Sequence, residues 1–186
     1  AATALAAIQV ERLLTEIGRD YRPGFGGGLL TTSAYDTGWL ARVRAKDDPA
    51  QLAFPEALDW LLRHQNPSGS WSGPFPHDVL PTLSALVALR SVPDALKARC
   101  ALPASRALSF LTSCLPRWQV ATHESVGFEV HLPTLIQSLN KLGIHLEVPN
   151  YGDVIDLMQE KLVRSAGDQL THGHSSLIYS LEALVG

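Results

Sequence analysis

Gln65-Asn66-Pro67-Ser68-Gly69-Ser70-Trp71 is a Q-x-x-x-G-x-W stretch set between two helical patterns. Gly69 permits a turn that a larger residue would resist. Gln65 can hydrogen-bond backbone groups at that turn, while the Trp71 ring packs on neighbouring helices. The stretch therefore ties the end of one helix to the next loop. The helix before it opens at Pro55, a favoured first-turn residue, and turns Leu58, Leu61 and Leu62 inward.

Outward from this point the chain reads as helix after helix. Upstream, 33–44 and 4–19 carry helical spacing, the latter through Leu5, Ile8, Leu13 and Ile17. Downstream, 79–91 places Leu80, Leu83, Leu86, Val87 and Arg90 on its pattern. Residues 104–115 follow with Leu108, Leu111 and Leu115, and 133–142 with Leu135, Ile136, Leu139 and Leu142. Gly143 is the expected stop of that helix. Further helices are expected over 152–163 and 174–184. Pro103 and Pro133 are read as lying near helix starts, like Pro55, and Pro81 lies near the start of its own. Only Gly127–His131 reads as extended. The expected fold class is all-α, built from antiparallel helical hairpins. A ring of such pairs, an α/α barrel or toroid, is one natural closure. Periodicity alone does not separate it from a bundle or a solenoid.

The chain has 186 residues, 15 Lys+Arg against 18 Asp+Glu, a net charge of −3 and 46% hydrophobic residues. That is too apolar and too weakly charged for a disordered chain. It also lacks the basic stripe of a nucleic-acid binder. No apolar run is long enough to span a bilayer. The apolar start AATALAAIQV runs into Glu11, Arg12 and Glu16, and reads as a helix rather than a signal peptide. The two cysteines, Cys100 and Cys114, make no disulfide framework and have no metal-ligand spacing. A buried free thiol is the expectation for Cys114, and a reducing, cytoplasmic location fits. Gly24, Gly26, Gly27 and Gly28 form a GFGGG run that reads as a linker, not a phosphate loop.

Two more stretches are specific. In Ser33-Ala34-Tyr35-Asp36-Thr37-Gly38-Trp39-Leu40-Ala41, Ser33 is an expected N-cap with Asp36 three residues on, a capping-box arrangement. Tyr35 and Trp39, four apart, share one helix face. The other is Val126-Gly127-Phe128-Glu129-Val130 with Pro133 following; Ser180-Leu181-Glu182 stands near the end.

Taken together these residues resemble the class II diterpene cyclases, the copalyl diphosphate synthase-like terpene synthases. That family carries SxYDTAWVA, QxxxGxW, (I/V)GFE(V/I)xxP and SLEG segments in this order. Here they read SAYDTGWLA, QNPSGSW, VGFEVHLP and SLEAL. The resemblance implies a γ domain, an α/α barrel inserted after the first helix of a β domain. Residues 1–20 would be that first helix, 21–30 the Gly-rich linker and 31–186 the γ domain. Ser33, Tyr35, Asp36, Trp39, Gln65, Gly69, Trp71, Gly127, Phe128, Glu129 and Glu182 are its motif residues, expected to be structural.

The family reaction is protonation-initiated cyclisation of geranylgeranyl diphosphate to a copalyl-type bicyclic diphosphate. The acid is the middle Asp of a D-x-D-D motif in the β domain. No D-x-D-D occurs here; Lys46-Asp47-Asp48-Pro49 lacks the leading Asp and reads as an exposed loop. A D-D-x-x-D ionisation motif would need Asp where Gln51 stands. The chain is thus expected to be the N-terminal part of a longer cyclase, inactive alone, with its catalytic residues elsewhere. Its expected partners are geranylgeranyl diphosphate at the β/γ interface, the remaining β domain, and in some arrangements a further α domain of prenyltransferase or class I type. Nucleic acid is not expected as a partner, nor is a membrane span expected. The resemblance also implies Mg²⁺ held through the substrate diphosphate. Glu124 is the acidic residue of the stretch before GFE, and Lys161 is the nearest match to a phosphate-contacting lysine, with Arg164 as alternative. Their plain readings are a solvated loop carboxylate and a surface lysine. Glu129, in an apolar segment, reads as bracing a neighbouring helix rather than doing chemistry. His172 and His174 lie two apart without a third ligand. The competing readings are a non-catalytic helical interaction domain and, with no nucleophile–base spacing to support it, a stand-alone hydrolase or transferase.

Overall fold

The computed structural model describes residues 33–118 and 128–167, without the side chains of 161, 162 and 164–167. The expected helices over 4–19 and 174–184 lie outside the described residues. The chain divides between Ser33 and Ala34 into two units, and the helices described here belong to the second. They are α1 (Ala34–Leu40), α2 (Pro55–Arg63), α3 (Val79–Arg90), α4 (Asp94–Cys114), α5 (Phe128–Lys141) and α6 (Tyr151–Gly167). A 3-10 turn, Leu115–Arg117, follows α4. Among the described residues the only β pairing is an isolated antiparallel bridge between Arg44 and Leu52. The fold is all-α.

α2 opens on Pro55, has Glu56 in its first turn and Arg63 in its last, and buries Ala57, Leu58 and Leu61. Each charge complements the helix dipole at its own end. α3 is different in kind. Val79 and every residue from Thr82 to Leu89 are buried, so it has no solvent face until Arg90. Such a helix must be surrounded, and α1, α2, α4 and α5 all pack on it. Leu80 and Arg90, named on its sequence pattern, are half-buried and exposed respectively. The polar Thr82 and Ser84 are tolerated because both hydroxyls have partners.

α4 begins ten residues before the expected start. Pro103 lies inside it rather than at its opening. Its buried stripe is Cys100, Ala104, Ala107, Leu111 and Cys114, alternating steps of four and three. Small residues dominate that stripe, so the helix can approach α3 closely. Asp94 and Lys97 pair at 2.7 Å on the exposed first turn, an interaction of little energetic consequence.

α5 likewise begins earlier than expected. Phe128–His131, read as extended, forms its first turn, and Pro133 is its sixth residue. The amide that Pro133 lacks would have bonded Glu129, still in the first turn, so little helix structure is lost. α5 ends as expected: Gly143 has φ +76°. The Gly143 amide donates to the Asn140 carbonyl at 3.0 Å and the Ile144 amide to Leu139 at 2.9 Å, a Schellman pair. Ile144 and Leu139 both belong to the core.

Both cysteines are buried and free, as expected for Cys114. Burial, and secondarily the charge of Asp78, push the Cys114 thiol up to about 11.

Candidate functional site

The Gln65–Trp71 loop joins three helices. Asn66 and Ser70 pair across the turn, with the Asn66 amide on the Ser70 carbonyl at 2.8 Å. Gly69 sits at φ +95°, and a Cβ there would lie 2.4 Å from the Arg106 carbonyl of α4. Both facts demand glycine. Gln65 Nε2 donates to the Gly69 carbonyl at 3.0 Å and to the Pro103 carbonyl of α4 at 2.9 Å. Arg106 returns the tie, donating to the Pro67 carbonyl at 3.0 Å. Trp71 is 0% exposed. Its indole donates to the Leu61 carbonyl of α2 at 2.9 Å, and its amide to Thr82 Oγ1 of α3 at 3.1 Å. One seven-residue stretch thus holds α2, α3 and α4 together.

The Ser33–Ala41 stretch forms α1 and packs mainly on α3. Gly38 faces Ser84: a Cβ there would meet Ser84 Oγ at 2.4 Å and the Ser84 backbone at 2.9 Å. Ser84 Oγ in turn donates to the Tyr35 carbonyl at 2.7 Å. The glycine, where the related motif has Ala, matches a serine on the facing helix.

The other face of α1 carries a row of rings. Tyr35 and Trp39 meet edge to face, with centroids 6.3 Å apart. Tyr35 also meets the ring of His131 on α5, with centroids 5.1 Å apart, and its hydroxyl lies 2.6 Å from His131 Nδ1. A phenol can donate or accept, so the imidazole tautomer sets whether the hydroxyl donates to Nδ1 or accepts from Nδ1–H. Burial pulls His131 below the ordinary histidine value, against the raising charges of Glu129 and Asp36. Burial likewise pushes the Tyr35 phenol up. At the other end, the Arg42 guanidinium lies 3.6 Å over the Trp39 ring.

The sequence-read residues therefore fall into two groups. Tyr35, Trp39 and, through its charge on His131, Asp36 gather with Glu129 at the α1–α5 contact. Asp36 is exposed, whereas Glu129 is only 2% exposed on the first turn of α5. Gln65, Gly69 and Trp71 gather at the α2–α3–α4 junction. Phe128, also on that first turn, meets Trp118 edge to face at 6.0 Å. Ser33 directly precedes α1. Glu124, Gly127, Glu182, His172 and His174 lie outside the described residues. Lys161 and Arg164 are placed on α6 without their side chains. Lys46-Asp47-Asp48-Pro49 is a loop in which Asp48 accepts from the Ala50 amide at 2.9 Å. Among the described residues no group of three or more His, Cys, Asp or Glu could hold a metal ion. No described helix is long and apolar enough to cross a membrane.

Three participants were missed from sequence: His131, Ser84 and Arg42. Arg42 had a signal, standing three residues beyond Trp39 on the helix pattern. Pairing of His131 with Tyr35 had none, since it depends on how α5 docks.

The chain is similar to known proteins in sequence and in structure. The chain is 32% identical over 174 residues, 88% of its length, to the bifunctional premutilin synthase of Clitopilus passeckerianus. It is 31% identical over 186 residues to the bifunctional, chloroplastic levopimaradiene synthase of Pinus contorta. The chain is thus similar to part of these diterpene synthases. Abietadiene synthase from Abies grandis matches 96% of this chain at 29% identity and a TM-score of 0.69, over 24% of its own length. The ent-copalyl diphosphate synthase from Arabidopsis thaliana, in complex with (S)-15-aza-14,15-dihydrogeranylgeranyl thiolodiphosphate, matches 83% at 27% identity and a TM-score of 0.62, over 22% of its own length. No family model matches the chain. The chain spans about a fifth of the length of the curated relatives it matches, 18% and 21% respectively.

Proposed function

We propose that this chain is the γ-domain part of a class II diterpene cyclase, with residues 31–186 as an α/α barrel. Residues 1–20 are then the first helix of the β domain and 21–30 the crossing between them. The complete protein cyclises geranylgeranyl diphosphate to a copalyl-type bicyclic diphosphate. The observation that carries this reading is the Tyr35–His131 contact: it links the SAYDTGW helix to the GFEVHLP helix by a side-chain hydrogen bond, joining two motifs far apart in sequence.

The chemistry divides accordingly. Protonating an alkene demands a carboxylic acid kept neutral in a dry pocket and aimed by its neighbours. No D-x-D-D stands in these residues, so the acid belongs to the β domain and the γ domain closes the pocket over it. The chain by itself turns over no substrate. Mg²⁺ brought in by a diphosphate needs few protein carboxylates. Glu124 is the residue proposed to meet it and Lys161 the one proposed to meet the phosphate. The described residues hold no preformed metal cluster, so they supply no binding cage of their own. A cytoplasmic location completes the reading.

The direct test is to read the coding sequence beyond Gly186. A D-x-D-D within the next few hundred codons is the expected result. An uninterrupted helical continuation without it would leave a non-catalytic interaction domain as the better reading.

A further inference from the structure

Asp78 stands at the N-cap of α3, a position where a carboxylate usually accepts from the first amides of the helix. Here it caps nothing. Its dihedrals are helical, φ −87° and ψ −8°, and its side chain makes no cap bond. The residue is only 4% exposed, and its Oδ1 is buried without a hydrogen-bond partner. Asp78 has no ion pair among the described residues, where Lys97 pairs with Asp94 and Arg99 with Asp59.

The groups around its carboxyl come from three places. The Ser70 hydroxyl belongs to the Gln65–Trp71 loop, the exposed His77 precedes it in sequence, and Cys114 ends α4. Among the described residues of α1, α2 and α5 no ionisable group acts on it. Burial raises its carboxyl above the ordinary aspartate value, against Ser70, the local backbone and His77, which favour the charge. An ionised Asp78 is a buried charge with one bare oxygen, which is costly until water or a donor reaches it. A neutral Asp78 has an O–H to donate, and Ser70 Oγ is the acceptor at hand. Ser70 is itself 2% exposed and can pass its own proton to Ser68 Oγ, 3.0 Å away. The same junction holds the Trp71 amide on Thr82 Oγ1 at 3.1 Å and the Thr82 amide on the Asp78 carbonyl at 3.0 Å.

We propose that Asp78 is a proton-sensitive latch: protonated, it holds the Gln65–Trp71 loop on the first turn of α3, and ionised, it drives the two apart to admit water. The folded value lies above the unfolded one. The latch therefore contributes fully below the ordinary aspartate value and is lost as pH rises through the folded value. Tyr35–His131, with a histidine pulled below its ordinary value, has the opposite sign. The latch is independent of the cyclase chemistry.

The test is hydrogen exchange of the complete natural protein and its D78N variant, read by mass on peptides covering 65–84 and corrected for the intrinsic pH dependence of exchange. In wild type, opening of these peptides should increase from about pH 4.5 to about pH 7. At pH 7 D78N, isosteric and uncharged, should open at least about threefold less than wild type. The two proteins should converge as pH falls toward the ordinary carboxylate range. Wild-type opening that is flat over this range, or that falls as pH rises, overturns the latch. A D78N that opens more than wild type at pH 7 also overturns it, because the carboxylate would then be a stabilising charge. If D78N does not fold, the wild-type profile decides by itself.

Discussion

The Tyr35 hydroxyl and Nδ1 of His131 are hydrogen-bonded at 2.6 Å, a bond across 96 residues of sequence that fastens α1 to α5. Because one partner is a half-buried imidazole, the stability it contributes depends on pH. Burial holds His131 below its ordinary value in the folded state, with Glu129 and Asp36 opposing. An unfolded chain therefore takes up the proton first as pH falls. The stabilisation is intact above the ordinary histidine value, about 6.5, and declines below it toward the lower folded value. Thermal unfolding between pH 7.5 and 5.5 should show this loss, at no more than about 1.4 kcal/mol per pH unit from this group. H131N, whose amide can hydrogen-bond Tyr35 without titrating, should flatten the slope. An unchanged slope in H131N would remove His131 from the account.

The Gly38–Ser84 fit makes a second prediction. G38A adds a methyl 2.4 Å from Ser84 Oγ and 2.9 Å from the Ser84 backbone. Overpacking of this kind costs about 1–3 kcal/mol, against a helix-propensity gain of about 1 kcal/mol for Ala over Gly. Urea denaturation should show a net loss. G38A/S84A should recover part of it, because the hydroxyl is gone while the backbone contact persists. A stabilised G38A would mean that α1 stands farther from α3.

The Gln65–Trp71 loop should be the most sensitive stretch to substitution. W71A should cost about 3–5 kcal/mol, the scale of emptying a large aromatic site. Q65A should cost about 1–2 kcal/mol, since it strips a donor from the Gly69 and Pro103 carbonyls. Both are read from denaturant midpoints. A neutral Q65A would mean that the α2–α4 tie is held by Arg106 alone.

Two predictions concern the reaction in the complete protein. E124A should raise the Mg²⁺ concentration needed for half-maximal turnover by about tenfold, the size of one charge-assisted contact. K161A should raise KM for geranylgeranyl diphosphate by a similar factor of about ten while sparing kcat. An E124A enzyme with wild-type Mg²⁺ dependence would remove the metal role proposed for Glu124.

Much of the fold was legible because its helices carry one apolar stripe each. Leu58 and Leu61 of α2 follow that rule, and the glycine stop at Gly143 was readable from residue type alone. The misplaced boundaries share one cause. Pro103 and Pro133 read as lying near helix starts, yet each stands inside its helix, which begins ten and five residues respectively before the expected start. α3 was legible as a helix over 79–91, but its burial on nearly all sides was not, because such a helix has no single stripe. At the site, the contacts within a motif were legible: Gln65 with Gly69, Tyr35 with Trp39. Contacts between motifs were not. Tyr35–His131, Gly38–Ser84 and Gln65–Pro103 depend on docking distances that sequence spacing does not encode.

The central claim is that these residues belong to a protonation-driven cyclase. The decisive measurement is incubation of the complete natural protein with geranylgeranyl diphosphate and Mg²⁺, followed by dephosphorylation and mass analysis of the alcohol released. The account predicts a bicyclic copalyl-type alcohol, lost when the middle Asp of D-x-D-D is changed to Ala. Recovery of unchanged geranylgeraniol from the wild-type protein would contradict it.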